Sequence, residues 1–190
     1  VIDLNADKTV GILVENAIGI NESVINVNKG NSAGMFGNNG SEITNSKNIN
    51  ISHENSAGMY TVDSNATNTA AGEITITGSA GATAGSAGMF GKLDSEITNK
   101  GTIQATNTST TSASAGMLAD TGKVVNESVI TMNGGGSAGL LGKNNATVTN
   151  ASPNGVITTK KEKSAGIYAE NSLSLNEGKI TVEGKESAGI

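Results

Sequence analysis

The sequence predicts an all-β fold, a parallel β-helix, on three observations. The unit Ser-Ala-Gly followed by a large apolar residue recurs at steps of 23 to 30 residues, a period typical of solenoids and related arrays. Each repeat contains three short apolar segments with strand-like alternation. No segment offers the roughly ten residues of helical periodicity that indicate a helix. The copies begin at Ser32, Ser56, Ser86, Ser114, Ser137, Ser164 and Ser187, with a degenerate copy at Thr9.

The first segment of each repeat is the Ser-Ala-Gly strand. We predict that its alanine and the Met, Leu or Ile two residues later face inward, and that the large residue after them faces outward. The reason is that the Met position never admits a polar group, whereas the next position admits Tyr. The opposite arrangement, with the ring inward and Met outward, remains open. The predicted outward column, called the ring column below, is Phe36, Tyr60, Phe90, Leu118, Leu141 and Tyr168.

The second and third segments follow at regular distances, with an Asn between them. An apolar residue stands eleven positions after the serine, an Asn follows shortly, and an alternating pair such as Ile180 and Val182 comes next. Asn tolerates the positive φ of a sharp corner, and stacked amides can donate to one neighbour and accept from the other. The alternative is that Asn is only a common turn residue. The predicted ladder is Asn21, Asn45, Asn99, Asn126, Asn150 and Asn176, with Asn68 by alignment.

Composition supports a single array rather than a globular core. Only 2% of the 190 residues are aromatic, so the core must be a thin stack of Ile, Val, Leu, Met and Ala. We predict that residues 1–190 form one β-helical repeat array of about eight three-strand coils, each of about 23 residues. The chain starts without Met and ends within a repeat, so we expect it to be a fragment of a longer solenoid.

Charge and cysteine content exclude several classes of function. The net charge is −5, all twelve basic residues are Lys, and there is no Cys. Nucleic-acid binding needs a basic surface that releases counterions, so nucleic acid is not an expected partner. Disulfide and thiol chemistry are excluded as well. No apolar run approaches the roughly 20 residues of a membrane-spanning helix, so we expect no direct membrane insertion of this segment.

Two insertions interrupt the repeat at the same corner of consecutive coils. They occupy residues 77–85 and 106–113 and are rich in Thr, Ser, Ala and Gly. Because consecutive coils stack, the two loops should be neighbours. A ligand would meet either these loops or the exposed aromatic residues of the ring column, which could stack on sugar faces. The candidate ligand-binding residues are Tyr60, Tyr168, Thr83, Asn107 and Thr110.

Residues for catalysis or metal binding do not gather in the sequence. Glycoside hydrolysis needs two carboxyl groups about 5 to 10 Å apart. Glu42 and Glu96 occupy the same position two coils apart, but solvated faces beside a turn explain them better. His53 is the only histidine and makes neither a triad nor a metal site. We therefore expect no catalytic residue, no metal and no cofactor, with a polysaccharide-processing β-helix enzyme as the alternative class.

The repeat resembles the passenger repeats of large fusobacterial type V autotransporter adhesins (RadD-like outer-membrane adhesins). The resemblance rests on the unit Ser-Ala-Gly-Met/Ile-Phe/Tyr-Gly/Ala with Ile-Thr-Asn and Gly-x-Ile spacers, and it covers essentially the whole chain. The copy that carries it best is 163–169, followed by Asn171. It implies a right-handed parallel β-helical rod.

The same resemblance implies a location and partners. The segment would belong to the passenger domain of an outer-membrane protein, exposed at the bacterial cell surface, where it contributes to virulence. It would attach to a host-cell receptor or glycan, or to a surface component of partner bacteria, either directly or as a rod-like spacer. Its coils would stack on flanking coils of the same passenger. Without those coils we expect the ends to self-associate.

Overall fold

The computed structural model describes residues 1–78, 85–106 and 113–190, and its regular secondary structure there is entirely β-strand. Within these ranges no helix could span a membrane. The strands are β1 (Ile2–Leu4), β2 (Val10–Glu15), β3 (Ile18–Asn21), β4 (Ile25–Val27), β5 (Ala33–Asn38), β6 (Glu42–Asn45), β7 (Asn48–Ile51), β8 (Ala57–Val62), β9 (Asn65–Asn68), β10 (Glu73–Ile76), β11 (Ala87–Lys92), β12 (Glu96–Asn99), β13 (Thr102–Ala105), β14 (Ala115–Asp120), β15 (Lys123–Asn126), β16 (Val129–Met132), β17 (Ala138–Lys143), β18 (Thr147–Asn150), β19 (Val156–Thr159), β20 (Ala165–Glu170), β21 (Leu173–Asn176) and β22 (Lys179–Val182).

The strands form three parallel sheets, each built from one strand per coil. The motif sheet holds β2, β5, β8, β11, β14, β17 and β20, which carry the Ser-Ala-Gly unit or its degenerate copy. The asparagine sheet runs from β3 to β21 in steps of three strands, and the isoleucine sheet runs likewise from β1 to β22. The predicted parallel β-helix of three-strand coils is confirmed. The described residues make seven complete coils, with β1 as one strand of a further coil.

The core is a set of columns in which like residues stack on like. Ile49, Ile74 and Ile103 are in direct register in the isoleucine sheet, and all three are fully buried. The motif sheet adds Met59 and Met89, also fully buried, while the ring column beside them is more exposed. The prediction that Met faces inward and the ring faces outward is therefore confirmed.

The alanine of the motif lies on the outer face, so its predicted inward orientation is wrong. A Cβ atom built on Gly58 would lie 2.8 Å from Cγ2 of Ile74, which shows that this glycine faces the core. Successive residues of a strand point to opposite faces, and Ala57 accordingly lines the outer surface with Tyr60. Gly58 and Met59 are consecutive residues that both face inward. A period-2 pattern assumes that neighbouring residues face opposite sides, so it assigns Ala57 to the wrong face.

The Asn column is a continuous amide ladder inside the helix. Nδ2 of Asn45 donates to Oδ1 of Asn68 at 2.9 Å, and Nδ2 of Asn68 donates to Oδ1 of Asn99 at 2.9 Å. The remaining steps have the same direction and lengths of 2.8 to 2.9 Å. The amides from Asn45 to Asn150 are fully buried, so each satisfies its neighbour where water is excluded.

The expected positive φ does not occur at the ladder positions, because these residues end strands of the asparagine sheet. Other corner residues adopt it, and most of them are also Asn or Asp. The asparagines with positive φ are Asn16, Asn31, Asn39, Asn55, Asn144, Asn145 and Asn171. Asn therefore serves two separate purposes here, left-handed corners on the surface and amide pairing in the interior.

Serine ladders occupy the other two corners. The backbone N–H of Ser56 donates to Oγ of Ser86 at 3.2 Å, while Oγ of Ser56 donates to the carbonyl of Glu54 at 3.1 Å. At the corner between the motif and asparagine sheets, the N–H of Ser41 donates to Oγ of Ser64 at 3.0 Å. Each corner thus has side chains that satisfy backbone groups the strands leave unpaired. The repeat pattern predicted only the Asn ladder.

Thr159 interrupts an apolar column of the isoleucine sheet, and it gives a testable prediction. Thr159 is fully buried between Met132 and Val182, and its hydroxyl has no hydrogen-bond partner among the described residues. Thr159→Val is expected to stabilise the protein by about 1 kcal/mol, because it removes an unsatisfied buried hydroxyl at constant shape. Urea denaturation measures this. Thr158→Val, next to it on the outer face, should change stability by less than about 0.5 kcal/mol, and equal effects at both positions would contradict the explanation.

Candidate functional site

The described residues form a groove on the outer face of the motif sheet. It runs along the rod axis from the coil of Thr9 to the coil of Ser164 and has a volume of about 820 Å³. We call it the motif groove. Its floor is the alanine column, one wall is the ring column, and the opposite wall, called the corner wall, is the single residue that precedes Thr9 or each serine from Ser32 to Ser164. The floor consists of Ala33, Ala57, Ala87, Ala115, Ala138 and Ala165.

The ring wall is a stack of aromatic faces. The ring centroids of Phe36 and Tyr60 are 5.0 Å apart at an interplanar angle of 25°, and those of Tyr60 and Phe90 are 5.0 Å apart at 18°. Both faces of Tyr60 are therefore covered by its neighbours, so it presents only its edge to the groove. The proposed stacking of a sugar on Tyr60 would require the column to open. Tyr168 is half exposed and stacks on no other ring among the described residues.

The groove floor offers no free hydrogen-bonding group from its serines. The Ser86 hydroxyl donates to the carbonyl of His53 at 2.8 Å and accepts from the N–H of Ser56. The Ser32 hydroxyl donates to the carbonyl of Gly30 at 3.0 Å and accepts from the N–H of Thr9. The backbone groups between these serines pair with the neighbouring coils. The floor of the groove is consequently made of methyl groups, while the exposed side chains of Asn31 and Asn55 add polar groups to the opposite wall.

The charged residues of the groove lie on its margins, and most are cationic. Lys8 and Lys163 belong to the corner wall, near opposite ends of the groove, while Lys143 and Glu170 extend the outer edge of the ring wall. Nζ of Lys143 lies 4.0 Å from Oε2 of Glu170. Neither Lys8 nor Lys163 has a carboxylate within ion-pair distance among the described residues. The margin is thus locally cationic on a chain whose net charge is −5.

The carboxylates considered for catalysis lie on a different sheet. Glu42 and Glu96 are in register with Asn65 between them on the outside of the asparagine sheet, beside a shallow polar depression. Nζ of Lys123 lies 2.8 Å from Oε1 of Glu96, and both side chains are about half exposed. Within the described ranges, no group of three or more His, Asp and Glu side chains could hold a metal ion.

Two of the five candidate ligand-binding residues line the groove, and the other three lie outside the described residues. Tyr60 and Tyr168 lie on the ring wall. Thr83, Asn107 and Thr110 lie outside the described residues. The last residues of the two insertions, Gly85 and Ala113, line the corner wall of the groove. Sequence reasoning therefore selected one wall of this site but missed the alanine floor, because it assigned those alanines to the core.

Together, the stacked coils and their internal ladders define a β-solenoid of the parallel β-helix class, with a groove along the outer face of its motif sheet. No known protein family matches the chain, and no curated protein or solved structure matches it either.

Proposed function

We propose that this chain is a rod segment of a bacterial cell-surface adhesin, of the autotransporter passenger type that its repeat resembles. In this role it attaches to a host-cell receptor or glycan, or to a surface component of partner bacteria, or it holds another binding segment away from the cell. It would belong to a protein secreted by the type V route and exposed on the outer membrane. The enzyme alternative gains no support from the isolated, partly ion-paired carboxylates of the asparagine sheet.

The observation that carries the proposal is the continuity of the stack. Each coil pairs with the next through all three sheets, and asparagine and serine side chains link successive coils at the corners. Such a repeat array is quasi-one-dimensional, so its length can grow by adding coils without changing any other contact. This geometry suits a segment that extends from a surface. The motif groove, whose lining includes Gly85 and Ala113, gives the described part of the rod one distinctive side.

Adhesion assays test the proposal and separate a binding segment from a spacer. Labelled protein is applied to epithelial cells and to a panel of bacteria that share their habitat, beside a variant in which 77–85 and 106–113 are shortened to the basic repeat. We expect the intact protein to bind and the shortened variant to lose most of this binding. The matched control shortens 151–155, an insertion at the corner between the asparagine and isoleucine sheets, and should bind normally.

Each outcome of the assay has a defined meaning. Equal loss in both shortened variants would show that any deletion damages the rod, and circular dichroism of the variants would reveal this. Absence of binding by the intact protein, while longer versions of the same array bind, would assign this stretch to the spacer role. Absence of binding by every version would contradict the adhesin proposal.

A further inference from the structure

We propose that Asn133 is a site of spontaneous covalent modification, at which the folded chain loses ammonia and gains an aspartate or isoaspartate. This modification site goes beyond the proposed adhesin role and does not depend on it. The chain contains three Asn-Gly sequences, at Asn39, Asn133 and Asn154. A glycine after asparagine leaves its backbone nitrogen accessible to the asparagine side chain, because glycine has no Cβ atom. The hydrogen bonding of the glycine N–H distinguishes the three sequences.

The reaction uses only two adjacent residues and water. The backbone nitrogen of the glycine attacks Cγ of the asparagine side chain, and the new N–Cγ bond closes a succinimide ring. The Cγ–Nδ2 bond breaks, and the amide nitrogen leaves as ammonia, so that the proton lost by the glycine nitrogen is balanced by the proton that ammonia gains. Water then opens the ring at either carbonyl carbon, which yields aspartate or isoaspartate. Neither an oxidant nor a reductant takes part.

Backbone hydrogen bonds hold the glycine nitrogen in two of the three sequences. The N–H of Gly40 donates to the carbonyl of Asp63 at 2.7 Å, and the N–H of Gly155 donates to the carbonyl of Ala151 at 2.8 Å. A nitrogen held in this way must first leave its hydrogen bond by a local opening of the structure before it can reach the side chain. The asparagines before these two glycines are therefore protected, although both are exposed.

The N–H of Gly134, in contrast, has no hydrogen-bond acceptor among the described residues. The hydrogen bonding between coils ends one residue earlier, where the N–H of Asn133 donates to the carbonyl of Ala105 at 3.0 Å. The carbonyl of Gly134 accepts from Oγ of Ser164 at 3.2 Å, and the equivalent residue of four other coils accepts from a serine in the same way. The N–H groups of these four residues also have no acceptor within the described ranges. They are Ala6, Lys29, His53 and Lys161.

The side chain of Asn133 is not held by its carbonyl oxygen either. Its Oδ1 is buried and has no hydrogen-bond partner among the described residues, whereas the ladder amides are paired from coil to coil. Asn133 as a whole is half-buried, so ammonia has a route to solvent. Gly134 is buried, but the bond-forming step needs no external reagent, because the attacking nitrogen and the carbonyl carbon belong to neighbouring residues.

The fold accepts a carboxylate at this position. Lys160 is the equivalent residue of the next coil, since its N–H donates to the carbonyl of Met132 as the N–H of Asn133 donates to that of Ala105. Oppositely charged residues of adjacent coils lie close together elsewhere on the rod, and an aspartate at position 133 would follow the same rule. Isoaspartate, in contrast, adds a methylene group to the main chain and lengthens the corner before the motif strand.

Mass spectrometry of the folded chain during incubation in mildly alkaline buffer tests the proposal. Peptide mapping follows the mass gain at each Asn-Gly sequence, and labelling by an isoaspartyl methyltransferase detects isoaspartate. We expect Asn133 to convert about tenfold faster than Asn39 or Asn154, because a backbone hydrogen bond has to open first at those two sites. In urea, where the chain is unfolded, the three rates should become similar.

Two glycine variants test the role of the attacking nitrogen. Gly134→Ala keeps Asn133 but adds a Cβ atom beside the nitrogen, and it should slow the conversion severalfold. The fold accommodates alanine at this corner position, as Ala6 shows. The matched control, Gly135→Ala, changes the next glycine and should leave the rate of conversion unchanged.

Several results would overturn the assignment. Equal rates at the three asparagines of the folded chain would do so, as would an Asn133 that reacts only in urea. Equal slowing in the two glycine variants would show that the flexibility of the corner, rather than the unpaired nitrogen of Gly134, decides the rate. Conversion of Asn133 in a chain that shows no cell adhesion would leave this inference standing and count only against the adhesin proposal.

Discussion

Gly88→Ala is expected to destabilise the β-helix by about 3 kcal/mol or more. A Cβ atom at this position would lie 2.6 Å from the carbonyl oxygen of Gly116 and 2.7 Å from Cγ2 of Ile103. The first contact is with the backbone of the next coil, and the second is with a fully buried core side chain. Neither the carbonyl group nor the isoleucine side chain can move without separating two coils. The steric strain of the added methyl group would therefore remain in the folded state. Urea denaturation followed by circular dichroism measures the loss.

The matched control is Gly91→Ala in the same strand. The equivalent residue is Thr61 in the preceding coil and Ala119 in the following one, and the nearest contact of a Cβ atom would be 3.1 Å, to Cβ of Ser95. We expect a change of less than about 1 kcal/mol. If the two substitutions had equal effects, the requirement for glycine in the Ser-Ala-Gly unit would not be steric.

Asn99→Ala is expected to cost about 3 kcal/mol of unfolding free energy, because it interrupts the amide ladder and leaves a cavity. Asn99 is fully buried, accepts from Nδ2 of Asn68 and donates to Oδ1 of Asn126, each at 2.9 Å. Its Oδ1 also accepts from the N–H of Gly101 at 3.2 Å. Removal of the side chain deprives three buried groups of a partner. Equilibrium unfolding in urea, with the slope checked for constancy, gives the value.

A second asparagine row on the outer surface provides the control. Nδ2 of Asn50 donates to Oδ1 of Asn26 at 2.8 Å, and Nδ2 of Asn26 donates to Oδ1 of Asp3 at 2.7 Å. The amide geometry is the same as in the interior, but water can replace the lost partner. Asn26→Ala should therefore change stability by less than about 0.5 kcal/mol. A similar loss at Asn26 and Asn99 would mean that burial does not decide the contribution of the ladder.

Charged residues follow a rule opposite to that of the apolar and amide columns. Oppositely charged partners from adjacent coils lie close together, as in Lys92 with Asp120 at 3.9 Å and Lys100 with Glu127 at 3.9 Å. Stacking at coil spacing would place like charges next to each other and destabilise the fold. These exposed pairs contribute little individually. Their alternation instead avoids the repulsion that a uniformly charged column would produce.

The amino-acid sequence by itself determined the architecture. Repetition of the Ser-Ala-Gly unit, the Asn that follows it and the alternating Ile pairs predicts three strands per coil and coils that stack in register, because identical units make identical contacts with their neighbours. The same repetition predicts that Met59 and Met89 point into the core, because a buried column excludes polar side chains at every repeat.

Only the tertiary structure decided the outer face of the motif sheet and therefore the candidate site. The period-2 pattern placed Ala57 in the core, but the close approach of Ile74 from another sheet turns Gly58 inward and Ala57 outward. Likewise, exposure of the ring column follows from sequence, whereas the mutual coverage of Phe36, Tyr60 and Phe90 depends on the coil spacing. A residue's own strand sets its alternation, but contacts between sheets and between coils set which atoms remain accessible to a ligand.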